Sequence, residues 1–244
     1  MLDKVTVFFD SPTTVIAFVS AVIAFCAYKL QRKSLRKQNA CIIAERYARE
    51  FLPRIRYIHK ILELTGNKAI SHKFRGFSAF TEKELTELLQ NAESSLNDFQ
   101  NKLATITEEN LKQAFAFSGC SEVVASRHNA LLTIAKEYVD DQHRNVRSSS
   151  LYKCILDMLN ELEAVAVLLR YNIADEKLIY QSLHQTFLSE MQNWYFFISD
   201  QNRNDQDRYF GNLIWLYNTW NKRKTADEKS INNILTLRSK AKRL

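Results

Sequence analysis

Residues 11–28 read SPTTVIAFVSAVIAFCAY, and the interpretation of the whole chain starts from them. These eighteen residues carry no charge, and Leu30 extends the apolar character past Lys29. A helix of ~20 mostly apolar residues crosses the ~30 Å hydrocarbon core of a bilayer, and a terminal lysine can reach the polar surface. We therefore predict a transmembrane helix over residues 11–30, preceded by a short external N-terminus, residues 1–10.

The residues that follow predict the orientation of this helix. Residues 29–37 hold five bases and no acid. The five bases are Lys29, Arg32, Lys33, Arg36 and Lys37. Lys and Arg concentrate on the cytoplasmic side, where anionic lipids attract them. We expect a single-pass protein of the bacterial inner membrane, with its N-terminus outside, its body cytoplasmic and these five side chains against the anionic inner leaflet.

Two other interpretations of the apolar stretch were weighed. A cleavable signal peptide carries its positive residues before the apolar run, whereas Asp3 and Asp10 precede this one. The core helix of a soluble protein is the other alternative. Five bases directly after an uncharged run favour the membrane.

The net charge of +7 is unevenly distributed. The body, residues 38–221, holds 20 bases and 23 acids, whereas residues 222–244 hold eight bases and two acids. A nucleic-acid-binding domain normally carries its positive charge on the folded body, so no nucleic-acid partner is expected. The basic C-terminal segment, residues 222–244, is either a helix that returns to the membrane surface or a solvated tail.

The body is predicted to be helical. Apolar residues recur at helical spacing, and the chain has only 4 glycines and 2 prolines. That scarcity excludes a glycine-rich phosphate loop, a dinucleotide fingerprint and a many-turned β-sandwich. We predict an all-α fold: the N-terminal transmembrane helix, a basic juxtamembrane helix over residues 31–64, and an irregular cytoplasmic helical bundle over residues 81–221.

Capping residues and breakers predict the helix boundaries. We expect a kink or break at Pro53 and a loop over residues 66–80. One predicted helix begins at Thr81 with Glu84 and runs to about Leu103, and the next runs from Thr107 to Gly119. A third occupies residues 121–139. A fourth follows a Ser148–Ser150 cap over Leu151–Tyr171, and Asn172 marks its end. The last three run from Asp175 to about Ser199, over Tyr209–Trp220 and over Asp227–Lys240.

The chain shows no constellation that predicts catalysis, a metal site or a cofactor. Its cysteines are isolated, and His143 with Asp140 and Asp141 fits a solvated turn. Arg54 and His59 have the spacing of the Arg–His pair of helical ribonuclease toxins of the HEPN class, but chance alone gives about one such pair in a chain of this composition. We expect no enzyme.

Two surfaces are candidates for contact with proteins. Ala17, Ser20, Ala21 and Ala24 form a face of small side chains that would let two transmembrane helices approach closely. Residues 194–220 contain nine aromatic side chains, including all three tryptophans. Tyr209, Trp215 and Trp220 are the candidates there for binding an unidentified protein partner, and a pair of helices packed through their rings is the alternative.

Three stretches of the chain resemble a bacterial and phage family known only as a domain of unknown function. They are the helix and following helix start over Asn160–Leu183, the aromatic helix Leu213–Trp220 and, more weakly, the basic helix Gln31–Leu62. Residues 66–147 show no clear correspondence. The resemblance implies a single-pass inner-membrane protein with a helical cytoplasmic module, and it implies no catalytic residues.

We therefore expect a membrane-anchored, non-enzymatic helical module that recruits a partner or self-associates. The alternative is a membrane-disrupting effector or regulator of a prophage or phage-defence system.

Self-association through the small face can be tested by enlarging it. Ala21→Leu with Ala24→Leu should lower the yield of crosslinked dimer in membranes, because the larger side chains keep the helices apart. An unchanged yield would exclude this face as the contact.

Overall fold

The chain folds into helices joined by short connections. The computed structural model describes residues 12–66, 78–91, 101–119, 121–137, 144–203 and 208–241, and within these ranges there is no β-strand. The helices are α1 (Pro12–Arg46), α2 (Leu52–Leu64), α3 (Glu82–Asn91), α4 (Glu108–Ser118), α5 (Glu122–Glu137), α6 (Arg144–Arg170), α7 (Glu176–Asn193), α8 (Tyr195–Gln201) and α9 (Gly211–Ala241). The predicted all-α class, with a long apolar helix before a helical body, is confirmed.

Three predicted features fall outside the described residues. They are the external N-terminus over residues 1–10, most of the loop over residues 66–80, and the polar link with Asp140, Asp141 and His143.

Helix α1 passes into α2 as continuous helix, so a break at Pro53, one of the two predicted outcomes, is wrong. The connection is one wide turn, Tyr47–Phe51, in which the Leu52 N–H donates to the Tyr47 carbonyl five residues back. A proline cannot donate to the carbonyl four residues earlier, and its ring crowds that carbonyl. A wide turn just before Pro53 gives the ring room, and the helix continues. Residues 12–64 form one rod ~80 Å long.

Two predicted helix starts are confirmed by their hydrogen bonds. Thr107 accepts the Asn110 N–H at 3.2 Å while the Asn110 side chain accepts the Thr107 N–H at 3.0 Å, and α4 ends at Gly119 with φ of +85°. At α3, Thr81 Oγ1 accepts the Glu84 N–H at 3.3 Å. The Glu84 carboxylate reaches further back than predicted and accepts the N–H groups of residues 78–80.

Two predicted boundaries are wrong because runs of polar residues do not break these helices. Helix α6 begins at Arg144, which places Ser148–Ser150 inside it, and α9 is one helix over Gly211–Ala241 where two were predicted. Neither stretch contains a glycine or proline between the predicted and observed limits. Polar side chains on an exposed helix face do not interrupt the backbone hydrogen bonds.

The helix predicted from Asp175 to about Ser199 is interrupted at Trp194. Helix α7 ends at Asn193 and α8 begins at Tyr195. Four consecutive aromatic side chains, residues 194–197, are all buried. A straight helix would spread them around its axis and expose some of them. The interruption separates α7 from the short helix α8, and all of residues 194–199 are buried.

The body packs around α2 and α6. Helix α2 contacts α4 and α5, α6 contacts α5 and α9, α7 contacts α1 and α9, and α8 contacts α3. The largest fully buried side chains are aromatic or branched: Trp194, Trp220, Tyr195, Phe51, Phe80, Phe196, Phe197, Ile61, Leu103, Leu111 and Leu151. Most of the predicted aromatic segment therefore belongs to the core.

Side-chain contacts give the direction of α9. Its first turn is fastened to Glu163 of α6, whose carboxylate accepts the Asn212 and Leu213 N–H groups at 3.0 and 2.7 Å. Further along, Asp227 accepts a hydrogen bond from the Tyr180 hydroxyl at 3.1 Å, near the start of α7. Helix α9 therefore runs toward the end of the body where α6 meets α7.

The Glu163 carboxylate caps α9 from a distant part of the chain. Glu163→Ala should lower the free energy of unfolding by ~1–2 kcal/mol, because two N–H groups of the first turn lose their acceptor. Denaturant unfolding of the full chain in detergent micelles measures this. Glu137→Ala, at an exposed position on α5, is the matched control, and equal effects of the two variants would contradict the capping role.

Candidate functional site: the apolar helix and its junction with the body

The N-terminal half of α1 is apolar and lies outside the body. Among the described residues, this helix is the one long and apolar enough to cross a membrane, and none of its most apolar eighteen-residue window is buried. Its exposed large side chains are Val15, Ile16, Phe18, Val19, Val22, Ile23, Phe25, Tyr28 and Leu30. The small residues Ala17, Ser20, Ala21 and Ala24 are exposed as well.

The five predicted lipid-contacting bases do not share one environment. Lys29, Arg32, Lys33 and Lys37 are exposed, and the Lys29 ammonium lies 4.5 Å from the centre of the Phe25 ring. Arg36 instead turns toward the body, and its guanidinium donates to Asn172 Oδ1 at 3.3 Å. Four of the five side chains are therefore open to solvent or lipid, and the fifth helps to dock the helix.

Helix α1 is hydrogen-bonded to the body at Arg36 and Asn39. We call the residues that form these bonds the junction: Arg36, Asn39, Asn172, Ile173 and Asp175. The Asp175 N–H donates to the Arg36 carbonyl at 3.0 Å, and Asn39 Nδ2 donates to the Ile173 carbonyl at 3.0 Å. These bonds connect α1 to the corner between α6 and α7. Sequence reasoning found the helix end at Asn172 and the cap at Asp175, but no signal revealed their partner on α1.

The corner itself is a tight and regular turn. Asn172 has φ of +56°, a conformation that Asn tolerates better than most residues. The Asn172 N–H donates to Leu169, and the Ile173 N–H donates to Leu168, which is the Schellman arrangement of a helix end. Asp175 then caps α7 by accepting the Leu178 N–H at 3.4 Å. The corner therefore has a defined backbone.

Beyond the junction, one face of α1 is buried in the body. Ala40, Ile43 and Tyr47 are buried, and α1 packs along α7 there. An apolar cavity of about 20 Å³ lies between α1, α6, α7 and α9, beside Ile43 and Trp220. A space of that size holds one water molecule, and an apolar lining offers that molecule no partner. It is a packing gap rather than a ligand site.

A buried ion pair fixes the start of α2 to α6. The Arg54 guanidinium donates to both oxygens of Glu161, at 2.9 and 2.8 Å, and Arg46 adds a third bond at 3.0 Å. The Phe51 ring lies 5.6 and 5.0 Å from the Arg46 and Arg54 guanidinium carbons. The Arg54 hydrogen bonds lower the pKa of Glu161 below its usual value, against the opposing effect of burial.

The Arg54–His59 spacing does not produce a shared site. Arg54 is only 5 % exposed and is held by Glu161. His59 Nε2 lies 3.0 Å from the Glu190 carboxylate, with its ring 5.2 Å from that of Trp194. The two side chains are directed to different carboxylates on different helices, α6 and α7.

His128 and Cys154 also have structural surroundings. His128 Nδ1 lies 3.1 Å from the Tyr57 hydroxyl, and its ring stacks on Phe115. Burial lowers the pKa of His128 and raises that of Cys154. Over the described ranges, no group of three or more His, Cys, Asp or Glu side chains could hold a metal ion.

The three aromatic candidates for partner binding also differ from one another. Trp220 is 1 % exposed, packs edge-on against Phe187 and donates its indole N–H to Glu176 at 2.7 Å. Its ring is part of the core, as the alternative interpretation proposed. Trp215 is half-buried beneath the Arg170 guanidinium, and Tyr209 is exposed.

Comparison with known proteins identifies a family. The model of a domain of unknown function, DUF4760, matches residues 14–220. No curated protein and no solved structure matches the chain significantly. The match begins inside the apolar half of α1, ends at Trp220 and includes residues 66–147, where sequence reasoning saw no correspondence. The predicted membership of an uncharacterised family is confirmed.

Removing the negative charge of Glu161 tests how much the ion pair with Arg54 contributes to the free energy of unfolding. Glu161→Gln should lower the free energy of unfolding by ~3 kcal/mol, the low end for a broken buried pair, because the Glu161 side chain is 33 % exposed. Glu45→Gln, which breaks the exposed pair with Arg49, should cost ~1 kcal/mol or less.

The same pair predicts a pH dependence. The folded pKa of Glu161 lies below the usual 4.5. The stabilisation by the ion pair is therefore complete above pH 4.5 and is lost as the pH falls through the folded pKa. Between pH 6 and about pH 3, the wild-type chain should therefore lose more stability than Glu161→Gln. Equal losses in urea titrations at these pH values would contradict this assignment.

Proposed function

The chain belongs to the DUF4760 family of unknown function, and we propose that it is a membrane-anchored, non-enzymatic helical module at the cytoplasmic face of the bacterial inner membrane. One observation carries the proposal. An apolar helix segment that is wholly exposed continues, within the same helix, into the buried core of the body.

The exposed apolar segment requires a cover. Leaving one large apolar side chain in water costs ~1.5–3 kcal/mol of free energy relative to an apolar environment. Contiguous apolar patches of this size are rare on soluble monomers. Lipid is the cover that the sequence favours. The segment has the length of a bilayer core, and four exposed bases follow it at the depth of the headgroups.

The connection between the anchor and the body is rigid. A flexible linker would let the body tumble below the membrane. Here the anchor leads into α2 through continuous helix, and the junction bonds fasten it to α6 and α7. The body therefore keeps one distance and one set of faces toward the membrane, which raises its effective concentration toward partners on the same surface.

The polar groups inside the body support a binding role over a catalytic one. Arg54 is occupied by Glu161, Glu163 by the first turn of α9, and His128 by Tyr57. Each of these groups stabilises a contact between helices. We propose that the surface available to an unidentified protein partner includes Tyr209. Self-association would use the small face of α1.

Orientation gives the direct test of this proposal. Alkaline phosphatase, which folds only outside the cytoplasm, should be inactive when fused after Leu244, whereas a green fluorescent protein fused there should fluoresce. Replacing Lys29, Arg32, Lys33 and Lys37 by Gln should raise the phosphatase activity, because the excess of positive charge sets the orientation.

The matched control removes four bases from the other basic segment. Lys222, Lys224, Lys229 and Lys240→Gln should leave the phosphatase inactive. An active phosphatase on the wild-type chain would contradict the cytoplasmic placement of the body.

A further inference from the structure

The corner between α6 and α7 carries exposed apolar side chains at the end of the body nearest the apolar helix. We propose that this corner, residues 171–175, is a second membrane contact, with Tyr171 and Ile173 inserted among the lipid headgroups. This inference rests on the proposed membrane anchor and adds to it the surface by which the body itself meets the lipid.

The position of the corner follows from its bonds to α1. Arg36, which accepts the Asp175 N–H, lies six residues beyond Leu30, and that distance is ~9 Å along a helix. The headgroup layer on each side of a bilayer is ~5–8 Å thick. Because α6 ends and α7 begins at this corner, the side chains of residues 171–173 lie at the tip of the body, within reach of that layer.

No described residue fully covers these side chains. Tyr171 is 66 % exposed, Ile173 46 % and Leu178 38 %. In a Schellman turn an apolar residue at the position of Ile173 normally packs back on the helix, but nearly half of Ile173 stays open. The backbone is fixed by hydrogen bonds to Leu168 and Leu169, so the side chains are presented by a rigid corner.

Composition favours lipid as the occupant over a protein. Tyrosine is enriched at membrane interfaces, where its ring lies among the headgroups and its hydroxyl stays hydrated. Arg170 and Lys177 flank the corner and are exposed, which suits an anionic leaflet. Of the exposed bases of α1, Lys29, Arg32 and Lys33 precede the junction and lie on the same side of it as the apolar helix segment.

Side-chain contacts of α9 place basic residues at this end of the body as well. Arg223 lies 3.8 Å from the centre of the Tyr180 ring, and Asp227 binds the hydroxyl of that tyrosine. Helix α9 continues beyond Asp227 to Ala241, ~20 Å further. Its direction brings the described part of the basic C-terminal segment, residues 222–241, to the same end as the corner.

Photocrosslinking from a defined position tests the contact. The full chain would carry p-benzoylphenylalanine in place of Tyr171 and, as control, in place of Phe117, which is 59 % exposed but sits on α4. The ring of Phe117 lies 5.5 Å from Lys60, and Lys60 is ~36 Å along the rod from Arg36. Each protein is reconstituted into vesicles of phosphatidylethanolamine and phosphatidylglycerol.

We expect lipid adducts at position 171 in about tenfold excess over position 117, because only the first lies at headgroup depth. The same vesicles are washed at alkaline pH and floated on a density gradient. A chain that floats but gives equal adducts at the two positions overturns the corner contact and leaves the anchor intact.

Two further outcomes separate the remaining explanations. Crosslinks from position 171 to a second copy of the chain, in place of lipid, would also overturn the inference. A chain that fails to float would overturn the proposed anchor and this contact together. A p-benzoylphenylalanine at Ile173 repeats the measurement with an independent variant, and it should give the same lipid adducts.

Discussion

The continuity of one helix, apolar at its start and buried at its end, is the constraint on which the rest of the structure depends. Among the described residues, none of the most apolar eighteen-residue window of this helix is buried, whereas Ala40, Ile43 and Tyr47 are buried. The same backbone hydrogen-bond pattern runs through both parts. Whatever covers the first part therefore determines where the second part, and every helix packed on it, is placed.

The junction makes that constraint rigid. The bonds from Arg36 and Asn39 to the corner at Asn172 and Ile173 add directional contacts to the apolar packing of α1 along α7, which by itself tolerates sliding more readily. At the other end of α1, the bond from Arg46 to Glu161 is a further directional contact. The junction also explains why Arg36 differs from the four neighbouring bases. Its position on the helix faces the body, so its charge is used between helices.

Local features were the predictable part of the fold. The helix over the uncharged run, the caps at Thr107 and Asp175 and the helix end at Asn172 depend on a few neighbouring residues, and each of these local features is present in the structure. Pro53 was misread because a wide turn one step earlier relieves its clash, and proline chemistry alone does not reveal such a turn. Ser148–Ser150 was misread because serine is compatible with both a cap and an exposed helix face.

The candidate site was less predictable because its bonds join distant parts of the chain. Asn39 and Ile173 are 134 residues apart, and neither has a local signature of docking. The aromatic segment shows the same limit. Periodicity places Tyr209, Trp215 and Trp220 in a helical region, but only the packing of α7 and α9 decides that Trp220 is buried and Tyr209 exposed.

Two native cysteines on α1 test the central claim directly. Cys26 and Cys41 are both exposed in the isolated chain and lie ~22 Å apart along the helix, one in the apolar half and one beyond Arg36. Variants in which Cys26 or Cys41 is the single remaining cysteine of the chain are treated with a water-soluble maleimide in open inner-membrane vesicles. The account predicts rapid labelling of Cys41 and protection of Cys26 until denaturing detergent is added. Equal labelling of the two in intact membranes would contradict it.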